Sequence, residues 1–227
     1  MERPRISEDE TLEKLGPYFF VQRKAGQKLT GDSVELAEFA IPTLDENDSI
    51  IDIGTGTGAI PLLLAWKSRA GKITGVEIDE KAAMTAMKNV GANGLAGRVD
   101  IINRDFRELR EYFPEGAFTA VVSNPPYGKA GAGRVSPQTE RAAARAELHG
   151  GLSDLISISA YLTGRKGRVF YVLPTARITE ALIELGKAGF RPSRIRFFGG
   201  KTGRAPRLFL IEAGKEDGME VEESSAG

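Results

Sequence analysis

The chain contains no cysteine and one histidine in 227 residues. The first absence rules out a disulfide framework and any thiolate nucleophile or thiolate metal site. The second argues against a histidine-rich metal centre, and no bound metal is expected. No apolar run reaches the roughly 18 residues that a membrane-spanning helix requires. The opening stretch, MERPRISEDE, lacks the apolar core of a secretory signal. A cytoplasmic protein with no membrane attachment is therefore expected. Net charge is missing as well, because 31 Lys and Arg balance 31 Asp and Glu.

That balance conceals a segregation. From Lys187 to Arg207 there are seven cations and no carboxylate: Lys187, Arg191, Arg194, Arg196, Lys201, Arg204 and Arg207. The segment after Leu210 is acidic, with Glu212, Glu216, Asp217, Glu220, Glu222 and Glu223. A polyanion responds to the local face and not to the total, so a basic surface fits these cations. The alternative is a solvated face carrying scattered charge. Length and a hydrophobic share of 41% suit one packed domain with small appendages.

Most of the chain alternates strand-like and helix-like segments. SIIDIG is a short apolar run ending in Gly, which reads as a buried strand. AIPLLLAWKSRAG reads as a helix closed by Gly71. KITGVEID follows as a strand. EKAAMTAMKNVGAN reads as a helix that packs on a sheet through Ala82, Ala83, Ala86 and Val90. RVDIIN and AFTAVVSN are strands three and four. GLSDLISISAYLTG is helical, GRVFYVLP is a fifth strand, and ARITEALIELGKAGF is a helix ending at Gly189. SRIRFFG and PRLFLIEAG close the series as a hairpin pair. This alternation implies an α/β fold, a mainly parallel seven-stranded sheet with helices on both faces.

The preceding YFFVQRKAGQKLTGDS reads as a hairpin or arm turning at Gly26. A helix then starts at Asp32 or Ser33, capped by Ser33, with Val34, Leu36, Ala37 and Ala40 as its apolar stripe. The expected organisation is an arm and helix over 1–45, a core domain over 46–214, and a disordered acidic tail over 215–227.

Two strand ends carry chemistry. The first is DIGTGTG, with Asp52, Gly54, Gly56 and Gly58. Glycines there allow a tight turn to approach a ligand, and Glu77 ends the next strand where a carboxylate can take both ribose hydroxyls. The constellation points to an adenosine-containing ligand. The spacing is G-x-G-x-G and not the dinucleotide G-x-G-x-x-G, and an anionic Asp52 would repel a pyrophosphate. It suits a sulfonium, so S-adenosylmethionine fits better than NAD. A glycine turn needed only for packing is the alternative. Asp105 is either an acceptor for the cofactor adenine or a cap for the FRELREYF helix.

The second is VVSNPPY. An adenine amine is a poor nucleophile that carries two N–H donors. The Asn124 side-chain oxygen and the Pro125 carbonyl can each accept one, which aims the nitrogen lone pair at a methyl group. Proline fixes φ and offers a carbonyl with no competing N–H. Tyr127 can stack on the base, worth ~1–3 kcal/mol.

DIGTGTG, GVEID and VVSNPPY together resemble the Rossmann-like, class I methyltransferases that use S-adenosylmethionine and an N-P-P-Y active site. More closely, NPPYGKAGAGRVSPQTERAAARAEL and the arm FFVQRKAGQKLTGDSVELA resemble the tRNA1(Val) adenine N6-methyltransferase family. The resemblance covers residues 18–212, with Ala146 standing where that family often carries His. It implies methyl transfer from S-adenosylmethionine to an adenine N6 in RNA, near a tRNA anticodon. It implies Asp52, Gly54, Gly56 and Gly58 around the methionine part of the cofactor. Glu77 would hold the ribose, Asp105 and Phe106 the adenine, Ile78 would also border the cofactor, and Asp32 would close over it. Asn124, Pro125, Pro126 and Tyr127 would hold the target base, with Asn124 also bordering the cofactor. Lys129, Arg134, Arg141, Arg145, Lys201, Arg204 and Arg207 would contact RNA. A monomer is expected. The rival reading is methylation of a release-factor glutamine amide, but enzymes of that kind usually carry a helical N-terminal domain, and residues 1–45 read as an arm. A non-catalytic RNA-binding module is the other rival, and the intact Asn124–Tyr127 stretch argues against it.

Overall fold

The computed structural model describes residues 3–25, 28–125, 151–199 and 205–215. An antiparallel hairpin comes first, β1 (Glu10–Leu15) and β2 (Tyr18–Arg23), followed by α1 (Gly31–Ala40). The core then runs β3 (Ser49–Ile53), α2 (Ala59–Lys67), β4 (Lys72–Glu77), α3 (Glu80–Ala92) and β5 (Val99–Asn103). It continues through α4 (Leu109–Tyr112), β6 (Ala120–Ser123), α5 (Leu152–Thr163), β7 (Arg168–Pro174), α6 (Ile178–Lys187), β8 (Arg191–Phe198) and β9 (Leu208–Gly214).

The seven core strands form one sheet in the order β5-β4-β3-β6-β7-β9-β8. β3 to β7 pair in parallel, whereas β9 runs antiparallel to both β7 and β8. The α/β sheet with helices on both faces is therefore as the alternation predicts. Successive β3 residues explain the layers. Ile50 joins the apolar cluster with Leu36 of α1 and Leu62 of α2, while Ile51 and Ile53 join the one with Leu155 of α5 and Leu185 of α6. Both faces are covered, so the strands are apolar without strict alternation. No helix among the described residues is long and apolar enough to cross a membrane.

Three local expectations are corrected. The hairpin turns at Gly16 and Pro17, with Leu15 opposite Tyr18, so YFFVQR is its second strand; Gly26 lies outside the described residues. Gly16 adopts φ +59° and packs so closely on the Trp66 ring that a β-carbon would overlap it. α1 begins at Gly31 after Thr30, and Ser33 makes no cap. α2 stops at Lys67 and not at Gly71. Its terminal carbonyls are claimed by the distant Arg98, whose Nη1 donates to Ala65 (2.7 Å) and whose Nη2 donates to Ser68 (2.8 Å). Gly71 instead lies against the Glu46 backbone, where no side chain fits.

Two asparagines, Asn89 in α3 and Asn93 at its C-terminal cap, hold the hairpin. Asn89 accepts from Val21 N (2.7 Å) and donates to Val21 O (2.9 Å). Asn93 does the same for Phe19, at 2.9 and 2.7 Å. Positions i and i+4 on a helix share a face, so the two amides satisfy the edge of β2 as a neighbouring strand would.

Candidate active site

β3 sits centrally because the chain moves outward from it to β4 and β5, then returns to its other side for β6 and β7. The order of strands reverses between β3 and β6. The loops leaving their C-terminal ends diverge there and open a crevice, the usual ligand position in a doubly wound sheet. The sequence places its two motifs on those two ends, Gly54–Gly58 after β3 and Asn124–Pro125 after β6. The Ser123 hydroxyl donates to Ile53 O at 2.7 Å and fastens the strand ends together.

The glycine loop is held from β4. Gly54 and Thr55 N–H groups both donate to Val76 O at 2.9 Å. Gly56, at φ +58°, donates to Glu77 Oε2 at 2.8 Å, and Asp79 N donates to Glu77 Oε1 at 2.9 Å. A β-carbon on Gly54 or Gly56 would meet nothing within 4 Å, so the loop faces open space. Gly58 differs, because a β-carbon there would come within 3.1 Å of the Ala86 side chain of α3, so its lack of one lets that helix seat against the loop. Asn89 Nδ2 also donates to Thr57 O at 2.9 Å, which ties the loop to the hairpin through one buried side chain.

Asp52 lies under this loop and is fully buried. Neither of its carboxylate oxygens has a hydrogen-bond partner, and neither has the Thr55 hydroxyl. Burial first, with repulsion from Glu77 adding to it, raises the Asp52 pKa to about 7. The nearby Thr55 hydroxyl pulls it partly back without forming a bond of standard geometry. Gly75 stands opposite Asp52 on β4, and its lack of a side chain leaves the room that Thr55 occupies. A buried carboxylate without a donor costs free energy, and a cationic ligand over the loop would offset that cost. The residues present thus fit a sulfonium cofactor.

Asn124 is 9% exposed and belongs to the second loop. Its Nδ2 donates to the Ser33 hydroxyl of α1 at 2.9 Å. Pro125 follows, half-buried. Pro126 and Tyr127 lie outside the described residues, as do Lys129, Arg134, Arg141, Arg145, Lys201 and Arg204.

The remaining expected residues take varied places. Asp105 is a cap: it accepts from Arg107 N at 2.9 Å and pairs with the Arg107 guanidinium at 2.5 Å. Capping is one of the two readings left open for it. Phe106 opens the 3-10 turn that Asp105 caps. Ile78 is 42% exposed just beyond β4. Asp32 occupies the first turn of α1, where burial raises its pKa and the charge of Arg207 partly counteracts this. Arg207 precedes β9 at the end of the sheet that carries Asn124, because β9 starts opposite Pro174, the last residue of β7. Several cations of the 187–207 segment are consumed structurally: Lys187 by Glu184, Arg194 by Glu212 and Arg196 by Glu35.

Sequence reasoning missed the roles of Ser33, Asn89 and Asn93. The i, i+4 asparagines on an otherwise amphipathic helix were a signal for the last two. Nothing local marks Ser33, whose partner is 91 residues away.

Residues 35–151 match the family model described as Methyltransferase small domain. A protein of Pedobacter heparinus named tRNA1(Val) (adenine(37)-N6)-methyltransferase is 31% identical over 73% of this chain and 68% of its own. One of the same name from Parabacteroides distasonis is 31% identical over 86% and 83% respectively. The crystal structure of M. jannaschii TYW2 in complex with AdoMet superposes with a TM-score of 0.64 at 16% identity, covering 92% of this chain and 87% of that one. At that identity it shows the shared fold. The chain therefore belongs to the methyltransferase small domain family and, through relatives at this level of identity, to the tRNA1(Val) (adenine(37)-N6)-methyltransferase family.

Proposed function

We propose that this methyltransferase transfers a methyl group from S-adenosylmethionine to the N6 amine of an adenine in tRNA. The observation that carries the reading is the pairing across one crevice of an unpartnered, buried Asp52 beneath the glycine loop with Asn124 and Pro125 on the facing loop. The names of the relatives supply the tRNA and the adenine, at position 37.

S-adenosylmethionine, when bound, supplies an electrophilic methyl on a positively charged sulfur. Asp52 provides the negative potential beneath that charge. Glu77 holds the loop through the Gly56 and Asp79 amides. A carboxylate has about four acceptor sites, so capacity is left for ribose hydroxyls. Asn124 Oδ1 and the Pro125 carbonyl accept the two amine protons and direct the nitrogen lone pair, and Tyr127 would stack on the ring. Alignment and fixed dipoles supply the rate enhancement, and the displaced proton passes to water. Arg207 lies at the same end of the sheet, with its Nε donating to Gly199 O at 3.0 Å, and its other guanidinium donors would meet a phosphate.

The test is nucleoside mass spectrometry after incubating the protein and labelled cofactor with tRNA, with duplex DNA and with a glutamine-bearing release-factor peptide. N6-methyladenosine confined to tRNA is expected. Equal methylation of the peptide would replace this reading with the glutamine one.

A further inference from the structure

The first two turns of α1 send three side chains to the active end of the sheet. Asp32 lies in the field of Arg207. Glu35 pairs with Arg196 of β8 at 2.8 Å. Ser33 accepts the Asn124 amide at 2.9 Å. The third contact bears on chemistry, because the two ends of an amide are not equivalent. The oxygen only accepts and the NH2 only donates. The target amine presents N–H donors, so an Asn124 turned by half a rotation would set donor against donor.

Ser33 ties this side chain to α1: in the structure its hydroxyl oxygen accepts from Nδ2, which leaves Oδ1 on the branch turned away from that contact. A hydroxyl can donate as well as accept, so Ser33 fixes the place of the amide, and the donors of the target amine fix which end of it meets them. Asn124 itself is only 9% exposed, so little solvent reaches the amide to replace a lost contact. Ser33 itself is spared for this work, since the cap of α1 uses no side chain and the Ser33 N–H bonds to Thr30 O at 3.2 Å.

We infer that Ser33 is a positioning residue for methyl transfer, anchoring the Asn124 side chain to α1 so that its amide stands in place for the acceptor nitrogen. The inference rests on Asn124 acting on the target base. It assigns the arm-side helix a part in the reaction that is separate from cofactor binding.

The experiment compares the full chain carrying Ser33→Ala, Ser33→Thr or Asn124→Ala with wild type. Alanine is the best helix former, so the first substitution leaves α1 intact. Turnover on tRNA, KM for the methyl donor, affinity for S-adenosylhomocysteine and melting temperature are measured for each. Ser33→Ala should lower kcat about five- to tenfold, the worth of one neutral hydrogen bond. KM for the donor and product affinity should stay at wild-type values, the melting temperature should fall by no more than the loss of one hydrogen bond, and Ser33→Thr should recover most of the rate. Wild-type kcat in Ser33→Ala, with Asn124→Ala inactive, overturns the inference alone. So does a kcat loss accompanied by a melting temperature lowered beyond that and no recovery in Ser33→Thr. A wild-type chain that methylates no RNA adenine overturns the functional reading and the inference with it.

Discussion

Two aspartates four residues apart stand at opposite ends of the central strand, and their surroundings differ completely. Asp48, just before β3, is 6% exposed and satisfied on all sides. It accepts from the Thr119 hydroxyl at 2.5 Å, from Asp45 N at 2.9 Å and from the Arg168 guanidinium at 3.0 Å. Asp52 is fully buried and has no partner. Asp48 closes the N-terminal end of the sheet as structure. Asp52 keeps its capacity open at the end where the loops diverge. Paired charge stabilises a fold, whereas unpaired charge under a loop is a reserve that only a ligand can discharge.

The comparison predicts that changes at the loop end lower activity without lowering stability at neutral pH, while changes at the other end lower stability. The largest effect is expected for Asn124→Ala. Turnover on tRNA should fall by roughly 10²–10³, the usual loss for one positioned electrostatic contact, and calorimetry should find the melting temperature unmoved. A stability loss of comparable size would erase the distinction between the two ends.

Asp48→Ala should do the reverse. It leaves Arg168 and Thr119 without their acceptor, and Arg168 is partly exposed, so the unfolding free energy should drop by about 2–3 kcal/mol. Denaturant titration measures this. Turnover at a temperature well below the transition should stay at the wild-type level.

Asp52→Asn sharpens the contrast through pH. The folded Asp52 pKa is about 7 against an ordinary 3.8. Between those values the native state keeps a proton that the unfolded chain has released. The stability of the ligand-free protein should therefore decline as pH rises from about 4 to 7, then level off. Asp52→Asn should remove this decline and weaken S-adenosylmethionine binding roughly tenfold, equal to about 1.4 kcal/mol. Isothermal titration and pH-dependent melting check both. A pH slope that persists in Asp52→Asn would assign it to another group.

The smallest effect concerns the rim of the loop end. Arg207→Ala should reduce the salt dependence of tRNA binding by about one phosphate contact, or 0.7 to 0.9 in the log–log slope. Cofactor affinity should be unaffected. An unchanged slope, read by filter binding across salt concentrations, would remove Arg207 from the RNA surface.

Much of the architecture is legible from local pattern. The apolar runs at β3, β4, β6 and β7 mark buried strands, and their alternation with helices implies the parallel sheet. The closing hairpin follows from the two adjacent apolar runs around 195 and 210. The expected hairpin turn at Gly26 failed because β1, ETLEKL, is rich in charge and half exposed, so no apolar periodicity announced it. The α2 stop at Gly71 failed because a guanidinium from another element satisfies that helix end. At the site, the glycine loop, Glu77 and Asn124 were readable because turn chemistry and strand ends are local properties.

The amino-acid sequence by itself determined the order of elements, the placement of both motifs on strand ends and the methyl-transfer chemistry those residue types permit. Helix and strand periodicity act within a few residues, and so do the backbone demands of Gly and Pro. Only the tertiary structure decided which carboxylate is paired and which is left open, that Asn89 joins the hairpin to the glycine loop, and that Ser33 meets Asn124 across 91 residues. Those contacts depend on strand order and on how α1 and α3 pack against the sheet. Side-chain hydrogen bonds between elements form only where packing brings donor and acceptor within about 3 Å, and no local propensity encodes that distance.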